Sequence, residues 1–272
     1  MDSNSRESKI KLSGFNNLTK ILSFNLYDFC ITLNDKQKLE YVNYIHDRYN
    51  AQKLVNISEE ICKIIEANIL GVSKQDYDPV GASAMILMSD IKGGGGNAET
   101  SACGCGGSCG ARVDMHLDKS HITTHTYPDA GDAFGICSFR VDIDIATCGE
   151  IVPLNAINYL FAVFECDVVI IDYVVRGYTR LTNGKKIYND HTVHSIKEFI
   201  RPDIIKNYKV CADISLPNDN IWQTKLLIRD DFSPDRYLLD PEDHKTIDKD
   251  ILEEKIKHLQ KEMREVFHLL DV

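Results

Sequence analysis

The chain runs to 272 residues, room for one large domain or two small ones at ~100–200 residues each. Hydrophobic residues at 43% and charged residues at 26% lie near the globular average and exclude wholesale disorder. With 31 Lys and Arg against 41 Asp and Glu, the formal net charge of -10 argues against a phosphate-tracking nucleic-acid binder and suits a cationic ligand.

Met1–Lys9 is polar and lacks the apolar core of a signal peptide. The longest apolar runs, around Ile157–Phe164 and Val168–Val175, fall short of the ~20 residues of a membrane helix. A cytoplasmic protein without a membrane partner is therefore expected. Phe24–Ile31 reads as a strand. Leu39, Val42, Ile45 and Tyr49 recur at helical spacing and predict a helix over Asp35–Asn50. Ser58 is expected to cap a second helix, with Ile61, Cys62 and Ile65 on one face. Gly81–Met88 has the length of a strand. Gly93–Gly110, mostly Gly, Cys, Ser and Ala, reads as a flexible insertion, because ordering glycine is entropically costly. Order is expected to resume at Val113.

Ser138–Ile145 alternates Phe139, Val141, Ile143 and Ile145 against Arg140, Asp142 and Asp144, the pattern of a half-buried strand. Pro153 opens a helix that places Ile157, Leu160, Phe161 and Phe164 at core spacing. Asp167–Val175 reads as another strand. Leu252, Ile256, Leu259, Met263, Val266 and Leu270 form one stripe of a C-terminal helix, and packing on the protein's own sheet is favoured over a contact between subunits. The expected class is α+β: an α/β sandwich, in a single domain, with helices packed on one face of a largely antiparallel sheet.

Nine cysteines, an odd number at irregular spacing, imply reduced thiols rather than a disulfide framework. Gly93, Gly95 and Ala98 match a dinucleotide-binding pattern formally, but Thr100–Gly110 cannot supply the helix whose N-terminus that mechanism needs. Cys103, Cys105 and Cys109 are soft ligands at a spacing that matches no standard zinc or iron–sulfur pattern, with His116 as a candidate fourth. His116, His121 and His125 are a weaker metal candidate, since His116 and His121 differ in strand parity. No metal site is assigned. Ser120 or Cys148 activated by His125 would suit nucleophilic hydrolysis, yet neither has the flanking pattern of a known nucleophile. Residue types alone leave this choice open.

The stretch from Asp118 to Asp129, DKSHITTHTYPD, followed by Thr147-Cys148-Gly149, resembles the processing and active-site region of bacterial S-adenosylmethionine decarboxylase proenzymes, in particular the larger bacterial type. The resemblance extends to Leu12–Lys20 (LSGFNNLTK), Gln75-Asp76-Tyr77, Gly81-Ala82-Ser83, Ile171–Gly177 (IDYVVRG) and Lys261–Glu265 (KEMRE), with the Cys/Gly-rich insertion as its departure. It implies that the chain cuts itself between Lys119 and Ser120, giving a β chain of residues 1–119 and an α chain of residues 120–272. Ser120 would become a pyruvoyl group that forms a Schiff base with the substrate and serves as electron sink. By the same resemblance His125 is the base in processing, Cys148 the proton donor in catalysis, and Ser83 a support for processing. Tyr77 and Tyr127 would stack on S-adenosylmethionine, and Asp129 would bind its ribose, where relatives often carry the longer Glu. A homo-oligomer, dimer or tetramer of αβ units, and Mg2+ as activator are also implied. Strand parity raises one difficulty: in an unbroken strand Ser120 and His125 face opposite ways, so a distortion near Lys119–His121 or a histidine acting from an adjacent position is expected. Two alternatives are a pyruvoyl-dependent arginine or ornithine decarboxylase, and a metal- or redox-sensing protein that uses Cys103, Cys105 and Cys109.

Overall fold

In the computed structural model of the protein, residues 15–90, 120–229 and 234–268 are described. The strands in chain order are β1 (Phe15–Asn16), β2 (Thr19–Ile31), β3 (Ala67–Asp76), β4 (Ala82–Asp90), β5 (Ser120–Asp129), β6 (Ile136–Cys148), β7 (Val168–Arg176), β8 (Thr179–Arg180), β9 (Lys186–Ile187), β10 (Tyr208–Leu216) and β11 (Ile221–Ile228). The helices are α1 (Asp35–Tyr49), α2 (Ala51–Ile64), α3 (Ile157–Val163), the single turn α4 (Pro202–Ile205) and α5 (Lys249–His268). Eight strands form one sheet in the order β10-β11-β7-β2-β6-β5-β4-β3, antiparallel throughout, while β1, β8 and β9 pair in a small second sheet. This is the expected α+β class.

The alternation expected for Ser138–Ile145 extends across the sheet. Cross-strand registry places Tyr173, Leu22 and Ile145 in one row and Ile171, Phe24, Ile143 and Thr124 in the next. All of these are buried beneath the helices. The alternate rows, such as Asp172, Ser23, Asp144 and Thr123, lie on the other face, and no helix of the described residues covers them. Period-two geometry thus gives a covered apolar face and an open, largely polar one.

Helices α1 and α2 sit over the β5 side of the sheet, and α5 packs against β2 and β6, in line with its stripe burying Leu259 and Met263 against the protein's own core. Phe267 joins that face rather than Val266 alone. Leu270 lies outside the described residues. Asn34 caps α1, its side chain accepting the Gln37 N–H at 3.0 Å while Gln37 Oε1 accepts the Leu33 N–H at 2.7 Å. The expected cap at Ser58 is a correction: Ser58 lies buried inside α2, and Asn50 caps that helix by accepting the Lys53 N–H at 3.1 Å. Asn50 also ends α1, so one extended residue separates two helices. The helix opened by Pro153 is shorter than expected, a 3-10 turn (Pro153–Ala156) followed by α3.

At one end of the sheet Asp167 is fully buried. It accepts hydrogen bonds from the Phe29 N–H (3.0 Å), the Tyr237 hydroxyl (2.9 Å) and the Arg236 guanidinium (3.1 Å), which ties the segment before α5 to the sheet. Burial, and then the Asp167 charge, push the neighbouring Asp28 carboxyl well above the usual range, and burial raises Asp167 to about 6 against the pull of Arg236. Two carboxyls in one desolvated site cannot both ionise cheaply, which favours a proton held between them.

Two outcomes follow from this core. Phe24 is fully buried and meets Phe161 edge to face at 5.3 Å, so Phe24→Ala should cost ~3–5 kcal/mol of stability by urea denaturation, and a loss below ~1 kcal/mol would contradict the packing described. The raised carboxyls favour folding while protonated, and that support is lost as pH rises through their elevated range. Asp28→Asn, which keeps a donor toward Asp167, should therefore gain stability over the wild type at pH 8 and lose that advantage at pH 5, and a pH-independent difference would count against proton sharing.

Candidate active site

β5 begins at Ser120, on the covered face and opposite Met88 of β4. The residue is 5% exposed, and its Oγ accepts the Cys148 N–H at 2.9 Å. Cys148 ends β6, with its side chain on the opposite, open face, where Sγ lies 3.9 Å from Thr19 Oγ1. The hydroxyl of Ser120 and the peptide of Cys148 are thus joined by one hydrogen bond.

Beyond Cys148 the chain turns at Gly149, which adopts φ 66°. The turn is held from below by Lys20 of β2, a fully buried lysine. Lys20 Nζ donates to the Gly149 carbonyl at 2.8 Å and to Asp190 Oδ2 at 2.8 Å. Asp190 Oδ1 contacts His191 Nδ1 at 2.7 Å, and His191 Nε2 lies 3.2 Å from the Tyr173 hydroxyl. Burial raises the Asp190 carboxyl, but the His191 contact and the Lys20 ammonium outweigh it and hold it at about 2. The carboxylate is accordingly ionised, and the lysine has a fixed counter-charge.

A second group lies further along β5. Ser83 of β4 is paired directly with His125 on the open face, and the Tyr77 hydroxyl donates to Ser83 Oγ at 2.8 Å. The turn that brings Tyr77 there depends on Gly81. It has φ 102°, its carbonyl accepts the Tyr77 N–H at 2.9 Å, and a Cβ in its place would come within 2.8 Å of the Thr126 carbonyl oxygen. Gln75, Ser83, Met85, Thr123 and His125 help to line a hollow of ≈180 Å³. Tyr127, on the same face, lies 6.4 Å from the His125 ring in a stacked arrangement, and the Arg140 guanidinium lies 5.3 Å from its ring centre. Asp129 ends β5 and accepts the Gly131 N–H at 2.8 Å, the bond of a turn aspartate.

Ser120 and Cys148 therefore come together, as do Ser83, Tyr77, His125 and Tyr127, but the two groups stay apart within the chain. Five residues at ~3.3 Å each separate Ser120 from His125 by roughly 17 Å along β5, on opposite faces. From His121 to His125 the registry with β6 is unbroken, so within those residues the expected distortion is absent. Lys119, His116, Cys103, Cys105, Cys109 and the insertion at 93–110 lie outside the described residues. Among the described residues no three His, Cys, Asp or Glu side chains stand together as a metal site. A wider groove of ≈600 Å³ lies between Arg48, Lys53, Glu60, Tyr159 and Val163, away from both groups.

Sequence reasoning missed Lys20, Asp190 and His191. A signal for Lys20 existed: it has the inward parity of Leu22, Phe24 and Leu26, where a charge requires a partner.

The family model for S-adenosylmethionine decarboxylase matches residues 40–177. The chain is 44% identical to the S-adenosylmethionine decarboxylase proenzyme of Heliobacterium modesticaldum, over 95% of this chain and 95% of that protein. It is 43% identical to the proenzyme of the same name from Clostridium botulinum (strain Eklund 17B / Type B), over 96% of each. A crystal structure of the adenosylmethionine decarboxylase from Aquifex aeolicus vf5 overlaps 68% of this chain and 100% of its own, at 14% identity and a TM-score of 0.33, too loosely to bear on the site. Identity at this level over nearly the whole length decides the assignment: the chain belongs to the S-adenosylmethionine decarboxylase family.

Proposed function

We propose that this chain is a proenzyme that cuts itself between Lys119 and Ser120 and then decarboxylates S-adenosylmethionine, supplying decarboxylated S-adenosylmethionine for spermidine synthesis. The observation that carries the reading is the Ser120 hydroxyl, buried at a strand end and held by the Cys148 N–H. That bond uses a lone pair and leaves the hydroxyl proton for a base. Attack of Oγ on the Lys119 carbonyl carbon exchanges the amide for an ester. Loss of the proton from the Ser120 α-carbon and cleavage of the Cβ–Oγ bond then leave Lys119 with a carboxylate, and addition of water with loss of ammonia makes residue 120 a pyruvoyl group. The products are a β chain of residues 1–119 and an α chain of residues 120–272. The residues present fit that group: Oγ departs with Lys119, which frees the Cys148 N–H beside residue 120 as a donor that a ketone oxygen there would accept. When present, the ketone accepts the electron pair released as CO2 leaves.

The chain's own side chains supply the rest. Cys148, on the open face, returns a proton to the substrate α-carbon. His125 takes the hydroxyl proton in processing, supported by Ser83 and Tyr77. Tyr77 and Tyr127 offer π faces to the sulfonium and adenine, contacts worth ~0.5–2 kcal/mol each. Asp129 would accept from the ribose diol through Oδ2, its Oδ1 already accepting the Gly131 N–H.

Because His125 lies roughly 17 Å from Ser120 along β5, we infer that a second copy supplies it. The open face carries the His125 group and exposed apolar side chains, including Met85, Ile214 and Ile221. Packing two such faces would bring one copy's His125 toward its partner's Cys148 at the end of β6, and the path from there to Ser120 Oγ on the covered face runs round the strand end, where the Cys148 N–H already meets that oxygen. Activation by Mg2+ belongs to this reading without assigned ligands, as does a cytoplasmic setting. Among the described residues no helix is long and apolar enough to cross a membrane. Arginine or ornithine decarboxylation and metal sensing by Cys103, Cys105 and Cys109 gain no support from the relatives' names.

Intact-mass spectrometry should find two chains divided after Lys119, with Ser120→Ala uncut, and a wild-type chain that stays whole on prolonged incubation would contradict the reading. For the second copy, Ser120→Ala and His125→Ala chains should each fail alone, yet co-expression should cut the His125→Ala chain in mixed oligomers. Absence of any cut chain in purified mixed oligomers would show that His125 acts within its own chain or not at all.

A further inference from the structure

Lys20 occupies a position where an apolar side chain would continue the inner face of β2 at no electrostatic cost. Taking an ammonium out of water costs several kcal/mol, and replacing a buried ion pair with apolar groups is often neutral or stabilising. What the charge adds here is a grip on the residues around Cys148. Lys20 Nζ holds the Gly149 carbonyl on one side of it at 2.8 Å, and Thr147 Oγ1 donates to the Lys20 carbonyl at 3.3 Å on the other. Asp190 and His191 fix the ammonium in turn. The Cys148 peptide between these anchors is the one whose N–H reaches Ser120 Oγ.

We propose that Lys20, held by Asp190 and His191, is a positioning residue that sets where the Cys148 peptide and thiol stand relative to residue 120, and hence which carbon receives the proton. This rests on reading Cys148 as the proton donor. When CO2 leaves, its electron pair is shared between the substrate carbon and the carbon of residue 120. A proton from the thiol on the substrate carbon, followed by water, releases the amine product and restores the ketone, and the thiolate regains a proton from solvent. A proton on the residue 120 carbon, followed by water, leaves the substrate nitrogen on the chain as an N-terminal alanine and releases the remainder as an aldehyde. Neither course needs an outside oxidant or reductant.

The discriminating variant is the charge-free pair Lys20→Met with Asp190→Asn, compared with each single change. The readouts are the thermal midpoint, self-cleavage, kcat and KM, and the alanine seen by Edman sequencing of the α chain per turnover, since a pyruvoyl-blocked chain gives no signal. We expect the double variant to recover most of the stability lost by the single variants. It should keep KM within about twofold while kcat falls ~10- to 100-fold, the scale of a misplacement near 1 Å, and alanine per turnover should rise at least about tenfold. A folded double variant that fails to cut itself would support the same positioning at the processing stage. A folded, cut double variant with wild-type kcat and alanine yield would overturn the proposal, leaving the pair merely structural. If the double variant does not fold, His191→Gln decides, by raising the alanine yield or leaving it unchanged, with the same meanings. Cys148→Ala tests the underlying reading separately: a wild-type alanine yield there would remove Cys148 as donor whatever Lys20 does.

Discussion

The alternation of side chains along β5 and β6, with one face of the sheet under helices and the other open, is the constraint on which the site depends. It puts Ser120 and Lys20 on the dry side and Cys148, Ser83 and His125 on the open side. The end of β6 joins the two sides. Cys148 points its thiol outward while its backbone N–H reaches Ser120 Oγ, so that oxygen is held in a protected place next to a group that solvent can approach. The same alternation puts His125 on the opposite face of β5 from Ser120.

Much of the fold was legible because its periodicities are clean. Phe139 to Ile145 alternates without interruption, and the α5 stripe repeats at helical spacing. The long strand β2 was only half visible: Ser23 and Asn25, on the open face, make its first half look polar when burial of Leu22 and Phe24 is not known. β3 and β10 occupy the two edges of the sheet and are mostly exposed, so no apolar run announces them. The cap of α2 was misplaced because Ser58 has the chemistry of a cap, whereas Asn50 has both that chemistry and an extended backbone.

The site was legible to a different depth. Ser120, Cys148, His125 and Ser83 came from an ordered set of motifs, and the parity rule showed that Ser120 and His125 could not meet along one strand. Lys20, Asp190 and His191 were illegible in combination, since 170 residues separate the first two and only the fold brings them to 2.8 Å. Long-range ion pairs leave no local spacing to read. A lysine at an inward strand position was the single clue, and it gives no indication of its partner.

The central claim is that residue 120 becomes the carbonyl to which S-adenosylmethionine is joined during the reaction. The most direct measurement is reductive trapping: the processed protein is treated with borohydride in the presence of S-adenosylmethionine, and the α chain is mapped by peptide mass. The account predicts substrate retained on the peptide that begins at residue 120, and no retention by Ser120→Ala. Substrate fixed at a lysine instead, or turnover surviving the treatment with residue 120 still a serine, would contradict it.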